Sequence, residues 1–207
     1  DTIVQCIRDH QVTVIGGETG CGKTTQVPQF VLEDLTTSVG TARCKMLCTQ
    51  PRRLAAIGVA TRVASERGQK VGDSIGYSIR LESKQSDDTQ LLFCTTGVLL
   101  RMLQGDPELS SITHVFVDEV HERSVDSDIA LAILRDVLSK RSDLKLILMS
   151  ATLDASLFSD YFGGAPVLEI PGFTHPVTDM FLDDIIEVTG LRLRAPKKDK
   201  SRVSDDN

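Results

Sequence analysis

Short apolar, β-branched runs alternate with longer amphipathic stretches along most of the chain. The first apolar run, VTVIG at 12–16, precedes KTTQVPQFVLEDL, and the second, CKMLCT at 44–49, precedes RLAAIGVATRVASERG. Further apolar runs at 90–95, 113–118 and 144–150 are each followed by a stretch with helical spacing. Apolar strands separated by helices predict an α/β fold, with a mostly parallel central sheet that is covered by helices on both faces.

The pattern changes from about residue 183, where the chain becomes charged and turn-rich and loses its periodicity. We therefore expect one domain over residues 1–182 and a linker or flexible tail over 183–207. The chain starts without Met, inside a helix-like pattern, so we expect it to be a fragment of a longer protein.

Charge and cysteine content restrict the kind of partner. The formal net charge of -6 argues against global attraction to nucleic acid, so any such contact must be a local patch. The five cysteines form no CxxC pair and no even framework, which favours reduced thiols over zinc or disulfides. No apolar run reaches the ~18 residues needed to cross a bilayer. These features indicate an intracellular protein, cytoplasmic or nuclear, without a membrane partner.

The segment GGETGCGKTT at residues 16–25 has the spacing G-x-x-x-x-G-K-[ST] between a predicted strand and a predicted helix. Glycines there let backbone N–H groups point at a phosphate, and the helix N-terminus adds partial positive charge. Lys23 would reach the β and γ phosphates. The alternative is a glycine-rich turn that caps a structural helix. The residues expected to bind the nucleotide are Gly17, Glu18, Thr19, Gly20, Cys21, Gly22, Lys23, Thr24 and Thr25.

An acidic pair, Asp118 and Glu119, follows the apolar run VFV in VFVDEVHER. In P-loop ATPases a strand-end Asp holds Mg²⁺, and an adjoining Glu orients and deprotonates the attacking water. We therefore expect Thr24, Asp118 and Glu119 at a Mg²⁺ site, with an ordinary helix N-terminal acid cluster as the alternative. His121 could be a ligand, a base or a hydrogen-bond relay, and we favour the relay because the other histidines lack zinc spacing.

Five segments occur in a fixed order: GETGCGKTTQ, TQPRRLAAIGVATRVA, TTGVLLRML, DEVHERS and SATLD. This order resembles the first RecA-like domain of the DEAH/RHA group of superfamily 2 RNA helicases, over roughly residues 2–182. The acidic motif reads DEVH instead of DEAH, a variation found among DExH members. The segment HPVTDMFLDDIIEVTG is more similar to the RNA helicase A-like branch than to the splicing helicases.

The resemblance implies a RecA-like P-loop NTPase fold, a three-layer sandwich, and assigns roles to residues. Lys23, Glu119 and His121 would belong to the catalytic set. Ser150, Ala151 and Thr152 would couple the nucleotide state to domain movement, although the residues alone also allow Ser150 and Thr152 to cap a helix. Arg62 would stack on the adenine, unless it is only an exposed helical arginine.

A second set of residues resembles the RNA-contacting positions of the family: Arg52, Arg53, Arg80, Thr95, Thr96 and Gly97. Arginines and a helix N-terminus suit phosphate oxygens, so we expect sequence-independent and salt-sensitive RNA binding. The residues alone also allow a solvated basic turn at positions 52 and 53.

The sequence thus predicts the ATP-binding lobe of an ATP-dependent RNA helicase, using ATP or another NTP with Mg²⁺. Such helicases need arginines from a second RecA-like domain, so we expect this chain alone to bind ATP weakly, hydrolyse it poorly and not unwind RNA. Protein cofactors could act on the whole protein. Two alternatives remain, a nucleotide-binding scaffold that has lost catalysis and a P-loop NTPase that does not act on RNA.

Overall fold

The structure, a computed structural model, describes residues 2–18, 20–38, 44–151, 155–172 and 178–190. The chain divides into two compact units, residues 1–173 and 174–207. The five ordered segments named above lie in the first unit, and HPVTDMFLDDIIEVTG lies in the second. Within the described residues, no helix is both long and apolar enough to cross a membrane.

The described part of the first unit is built on one eight-stranded sheet with the order β4-β3-β5-β2-β6-β7-β1-β8. Strand β4 is antiparallel to β3, and every other neighbouring pair is parallel. The strands are β1 (Val12–Gly17), β2 (Met46–Gln50), β3 (Ile75–Ile79), β4 (Glu82–Lys84), β5 (Leu91–Thr95), β6 (His114–Val117), β7 (Lys145–Ser150) and β8 (Val167–Ile170).

Helices pack on both faces of this sheet. They are α1 (Thr2–Asp9), α2 (Lys23–Ser38), α3 (Arg53–Glu66), α4 (Thr96–Gly105), α5 (Val125–Lys140) and α6 (Ala155–Tyr161), and a 3₁₀ turn spans Val120–Glu122. Successive strand residues belong to different hydrophobic clusters: Leu47 is in the cluster that includes residues of α4, α5 and α6, whereas Cys48 is in the cluster that includes residues of α1, α2 and α3. This arrangement confirms the expected α/β three-layer sandwich with a mostly parallel sheet.

The parallel strands bring the predicted site segments to one edge. Strands β1, β2, β3, β5, β6 and β7 run in the same direction, so their carboxyl ends open on the same side of the sheet, where ligands of α/β proteins bind. The phosphate loop follows β1, the two arginines follow β2, and the acidic pair follows β6.

The five predicted strands are confirmed, with ends that differ by at most two residues. The sequence analysis missed β3, β4 and β8. Strand β4 (ESK) is polar and exposed at all three residues, and β8 (VLEI) has only four residues, one of them Glu169, so neither forms a long apolar run.

The second unit contains one described helix, α7 (Leu182–Thr189), at the start of the segment for which the sequence predicts a tail. Its first turn is capped by Asp184, whose carboxylate accepts the backbone N–H of Phe181 at 2.8 Å. The helix ends at Gly190, which has the left-handed φ of 63°. Residues 191–207 lie outside the described residues, and the expected division at residue 182 stays a prediction.

Candidate functional site

The phosphate loop joins the end of β1 to the start of α2. Gly22 has a φ of +89°, and a Cβ at Gly17 would lie 2.8 Å from the carbonyl oxygen of Ile170, so the loop requires glycine at both positions. Lys23 is buried, and its Nζ donates to the carbonyl oxygens of Gly17 at 2.5 Å and Glu18 at 2.9 Å. The ammonium group is thereby held at the centre of the loop.

The side chain of Asp118 joins the ends of three strands. It follows β6 and is only 3% exposed. Its Oδ2 accepts hydrogen bonds from the Thr24 hydroxyl at 2.6 Å and from Gln50 Nε2 at 2.7 Å, while Oδ1 accepts the backbone N–H of Glu119 at 2.9 Å. A buried carboxylate needs such donors to remain charged. The bonds connect the phosphate loop after β1 with the carboxyl ends of β2 and β6.

The oxygen atoms of Thr24 and Asp118 are of the kind that Mg²⁺ prefers. Mg²⁺ at a phosphate site takes only one or two protein oxygens and completes its shell with phosphates and water. Among the described residues, no group of three or more His, Cys, Asp and Glu is arranged to hold a metal ion. The donors present therefore fit a Mg²⁺ ion that arrives with a nucleotide better than a resident structural metal.

Glu119 has the electrostatic surroundings of a general base. Partial burial, followed by repulsion from the Asp118 carboxylate, raises the pKa of Glu119 above its usual value, and the neighbouring His121 and Lys23 oppose this shift. A carboxylate with a raised pKa is a better proton acceptor at neutral pH. The residue adopts a left-handed backbone conformation, φ 55°, directly before the 3₁₀ turn.

His121 lies between Glu119 and the end of β7. Its Nδ1 accepts the backbone N–H of Ala151 at 3.2 Å and lies 3.4 Å from Glu119 Oε2. Accepting this N–H requires a free lone pair on Nδ1, whereas an ion pair with Glu119 requires a proton there. The two contacts therefore compete, and the relay role of His121 stays a prediction. The preceding Ser150 is fully buried, and Thr152 and Thr19 lie outside the described residues.

The six residues predicted to contact RNA all line one groove. They are Arg52, Arg53, Arg80, Thr95, Thr96 and Gly97. The groove is also lined by a further arginine, Arg101, and by two carboxylates, Glu122 and Asp126. Four arginines against two carboxylates form a local basic surface on an acidic chain. Helix α4 begins at Thr96, so its first backbone N–H groups add partial positive charge.

Arg52 is joined to the acidic segment by an ion pair. Its Nη2 lies 2.8 Å from Glu122 Oε1, and the Arg52 side chain is 74% exposed. The guanidinium therefore faces solvent in the groove while one of its nitrogens is bound to the 3₁₀ turn. Among the hydrogen bonds of the described residues, this is the only one that links a predicted RNA-binding residue to the acidic motif DEVHERS.

Arg62 lies on α3, and its Nε donates to Glu66 at 2.6 Å. Glu66 also accepts hydrogen bonds from Gln26 at 3.0 Å and Gln29 at 2.8 Å, both on α2. The Arg62 side chain, 70% exposed, is thus connected through one carboxylate to the helix that follows the phosphate loop. This location is compatible with the adenine-stacking role that the resemblance implies.

Comparison with known proteins adds the family. The model of the DEAD/DEAH box helicase family matches residues 1–159. The chain belongs to this family. It is 54% identical over 195 residues to the DExH-box ATP-dependent RNA helicase DExH1 of Arabidopsis thaliana, covering 94% of this chain and 20% of that protein.

Two human helicases of this family are similar to the chain to the same degree. The putative ATP-dependent RNA helicase DHX57 is 56% identical over 189 residues, covering 91% of this chain and 14% of DHX57. The ATP-dependent DNA/RNA helicase DHX36 is 53% identical over 188 residues, covering 89% of this chain and 19% of DHX36. The chain therefore spans only about a fifth or less of these helicases. The match confirms a DExH-type RecA-like domain.

Sequence reasoning missed three residues of this helicase site: Gln50, Arg101 and Glu122. Gln50 is a polar residue at the last position of a fully buried strand, and this position was the signal that could have identified it. Arg101 is four positions after Gly97 on α4, hence on the same helical face. For Glu122, nothing in the sequence indicates that its partner is an arginine 70 positions away.

Replacing Glu119 by Gln should stabilise the nucleotide-free chain at neutral pH. Because the folded-state pKa of Glu119 is raised, the folded state binds its proton more tightly than the unfolded state does. The resulting stability is lost as pH rises from the unfolded value, about 4.3, through the raised folded value. The variant should therefore melt at a higher temperature than wild type at pH 7, and the difference should vanish below about pH 4.

Thermal melting by circular dichroism across this pH range measures the effect. The control is Glu108→Gln, which removes one exposed charge in the loop before β6. Equal melting temperatures of wild type and Glu119→Gln at pH 7 would contradict the electrostatic account of Glu119.

Proposed function

We propose that this chain is the ATP-binding lobe of an ATP-dependent RNA helicase, which couples ATP hydrolysis to RNA translocation and unwinding. The observation that carries the proposal is the gathering of the six predicted RNA residues in one basic groove, on the sheet edge that also bears the phosphate loop and the acidic pair. The relatives DExH1 and DHX57 are named as ATP-dependent RNA helicases, the latter putatively, and this supports the proposal.

The nucleotide would bind at the phosphate loop, including Thr19. Lys23 would exchange its bonds to the loop carbonyls for the β and γ phosphates. Thr24 and Asp118 would hold Mg²⁺, directly or through water, with Glu119 beside them. When bound, the ion neutralises charge on the phosphates. Arg62 would stack on the adenine.

Hydrolysis would depend on Glu119, which orients the attacking water and accepts its proton. His121 would then bind either the carboxylate of Glu119 or the backbone N–H of Ala151. A change between these two partners would link the state of Glu119 to the end of β7. Ser150, Ala151 and Thr152 form the segment through which that state would reach the second lobe.

RNA would bind in the basic groove through its sugar-phosphate backbone. The groove offers guanidinium groups, hydroxyls and a helix N-terminus, which suit phosphate oxygens, so binding should be independent of base sequence. We add Arg101 to the six predicted residues on the strength of its place in the groove. One relative, human DHX36, has a name that covers both DNA and RNA, so binding assays should compare the two.

The complete activity would need a second RecA-like domain in the same protein, reached through the segment 183–207 after a first domain of residues 1–182. That domain would bring arginines to the γ phosphate, whose contribution in related enzymes is about 10³ to 10⁵ in rate. The chain alone should therefore hydrolyse ATP poorly and not unwind RNA. We further propose an intracellular location, cytoplasmic or nuclear, and leave open a role for protein cofactors.

Glu119→Gln in the full-length protein should lower the RNA-stimulated ATPase rate at least about 100-fold, because the attacking water loses its base. ATP affinity should change only a few-fold, since Lys23 and the loop are intact. A coupled ATPase assay and nucleotide titration measure the two quantities, with Glu108→Gln as control. A wild-type protein that hydrolyses ATP no faster than Glu119→Gln would favour the catalytically silent scaffold.

Arg52→Ala should weaken single-stranded RNA binding by about 10-fold, because one charged hydrogen-bonding group is lost. The loss should be the same for different homopolymers, and the salt dependence should fall by about one unit of slope. Fluorescence anisotropy with full-length protein measures both.

The matched control is Arg8→Ala, which removes another exposed arginine that is paired with a carboxylate, Asp34, outside the groove. Unchanged RNA affinity in Arg52→Ala, together with an ATPase that RNA does not stimulate, would favour a P-loop NTPase that does not act on RNA.

A further inference from the structure

The nucleotide residues and the groove residues occupy different halves of one sheet edge. In the strand order, β1, β7 and β6 carry the phosphate loop, the end of β7 and the acidic pair, whereas β2, β5 and β3 carry the groove. The two halves meet between β2 and β6, which are neighbouring parallel strands. An effect of bound RNA on the nucleotide residues within this lobe therefore has its shortest path between β2 and β6.

Among the hydrogen bonds of the described residues, two side-chain contacts join the segment at the end of β2 to the acidic motif after β6. Gln50 at the end of β2 donates to Asp118 at 2.7 Å, and two residues later Arg52 pairs with Glu122 at 2.8 Å. The contacts differ in exposure: Gln50 and Asp118 are both 3% exposed, but the Arg52 side chain is 74% exposed and that of Glu122 is 31% exposed. The Gln50–Asp118 hydrogen bond is buried and shielded from competing groups, whereas the exposed Arg52 can replace Glu122 by another partner.

An exposed ion pair such as that of Arg52 with Glu122 contributes little free energy to the arrangement that it holds. Such pairs shift an equilibrium by about twofold to fivefold. An RNA phosphate offers the Arg52 guanidinium the same type of acceptor as the Glu122 carboxylate, namely two charged oxygens that arginine can bind in bidentate geometry. A phosphate in the groove can therefore displace Glu122 at small cost.

Glu122 is linked to the general base by one short turn. Its backbone N–H donates to the carbonyl of Glu119 at 3.0 Å, and Arg123 N–H donates to Val120 at 3.2 Å. Val120 is fully buried and anchors the turn, while Glu119 and Arg123 at its two ends have left-handed φ values of 55° and 50°. Non-glycine residues adopt this conformation at a cost and only where the surroundings hold them in it. A change in the partner of Glu122 therefore acts on the turn that sets the position of Glu119.

We infer that Glu122 is a positioning residue that competes with RNA for Arg52, and that its displacement by an RNA phosphate repositions Glu119. This inference rests on the proposed function. In the RNA-free protein the ion pair holds the turn in the arrangement described here. RNA in the groove takes the guanidinium, releases Glu122, and lets the turn adopt the arrangement in which Glu119 supports hydrolysis.

The test uses full-length protein with Glu122→Gln, a labelled single-stranded homopolymer RNA without nucleotide, and an ATPase assay with and without saturating RNA. Glu122→Gln should bind RNA about twofold to fivefold more tightly, because the competing anion is gone. The ratio of RNA-stimulated to basal kcat should also fall. In Glu122→Gln no ion pair with Arg52 holds the turn, so RNA has no ion pair left to displace. A gain of affinity cannot arise from misfolding.

Asp126→Asn is the matched control, since it removes one carboxylate from the same groove without touching the Arg52 ion pair. It should leave the stimulation ratio unchanged. In an Arg52→Ala background, Glu122→Gln should no longer tighten RNA binding, because no guanidinium remains to compete for.

Three results would overturn the inference: weaker or unchanged RNA binding by Glu122→Gln, equal effects of Glu122→Gln and Asp126→Asn, or the same affinity gain in the Arg52→Ala background. The proposed function fails separately, if RNA neither binds wild-type protein nor stimulates its ATPase.

Discussion

The site depends on the hydrogen bonds that the buried carboxylate of Asp118 accepts. It receives the hydroxyl of Thr24, the amide of Gln50 and the backbone N–H of Glu119, and so fixes the phosphate loop, the end of β2 and the acidic motif relative to one another. A charge that is 3% exposed is tolerated only when such donors surround it. Removing one donor would leave both a buried charge and a loosened strand end.

The order of the strands in the parallel sheet determines where each functional segment lies relative to this carboxylate. Because the central parallel strands are buried, the polar residues that follow them lie at the carboxyl edge, and the strand order decides which of these residues become neighbours. In the strand order, the phosphate loop lies on one side of Asp118 and the arginine-lined groove on the other. The chain's net charge of -6 is compatible with RNA binding because four arginines against two carboxylates make the groove locally basic.

Much of this arrangement could be predicted from the sequence, because it depends on local patterns. Apolar runs identified β1, β2, β5, β6 and β7, and the glycine and lysine spacing identified the phosphate loop. Strand β4 escaped detection because it is exposed on all three residues. The bonds of Gln50 and Glu122 also escaped, since they join segments about 70 positions apart, and only the strand order makes those segments adjacent. Long-range polar pairs leave no periodic signal in the chain.

We propose that the nucleotide site at the phosphate loop and the RNA site in the basic groove are coupled parts of one sheet edge. The most direct test is the reciprocal effect of the two ligands in the full-length protein: ATP-analogue affinity with and without saturating RNA, and RNA affinity with and without saturating analogue. Thermodynamic linkage requires the two factors to be equal, and the account predicts a change of at least about fivefold in each. Affinities for each ligand that do not respond to the other would contradict it.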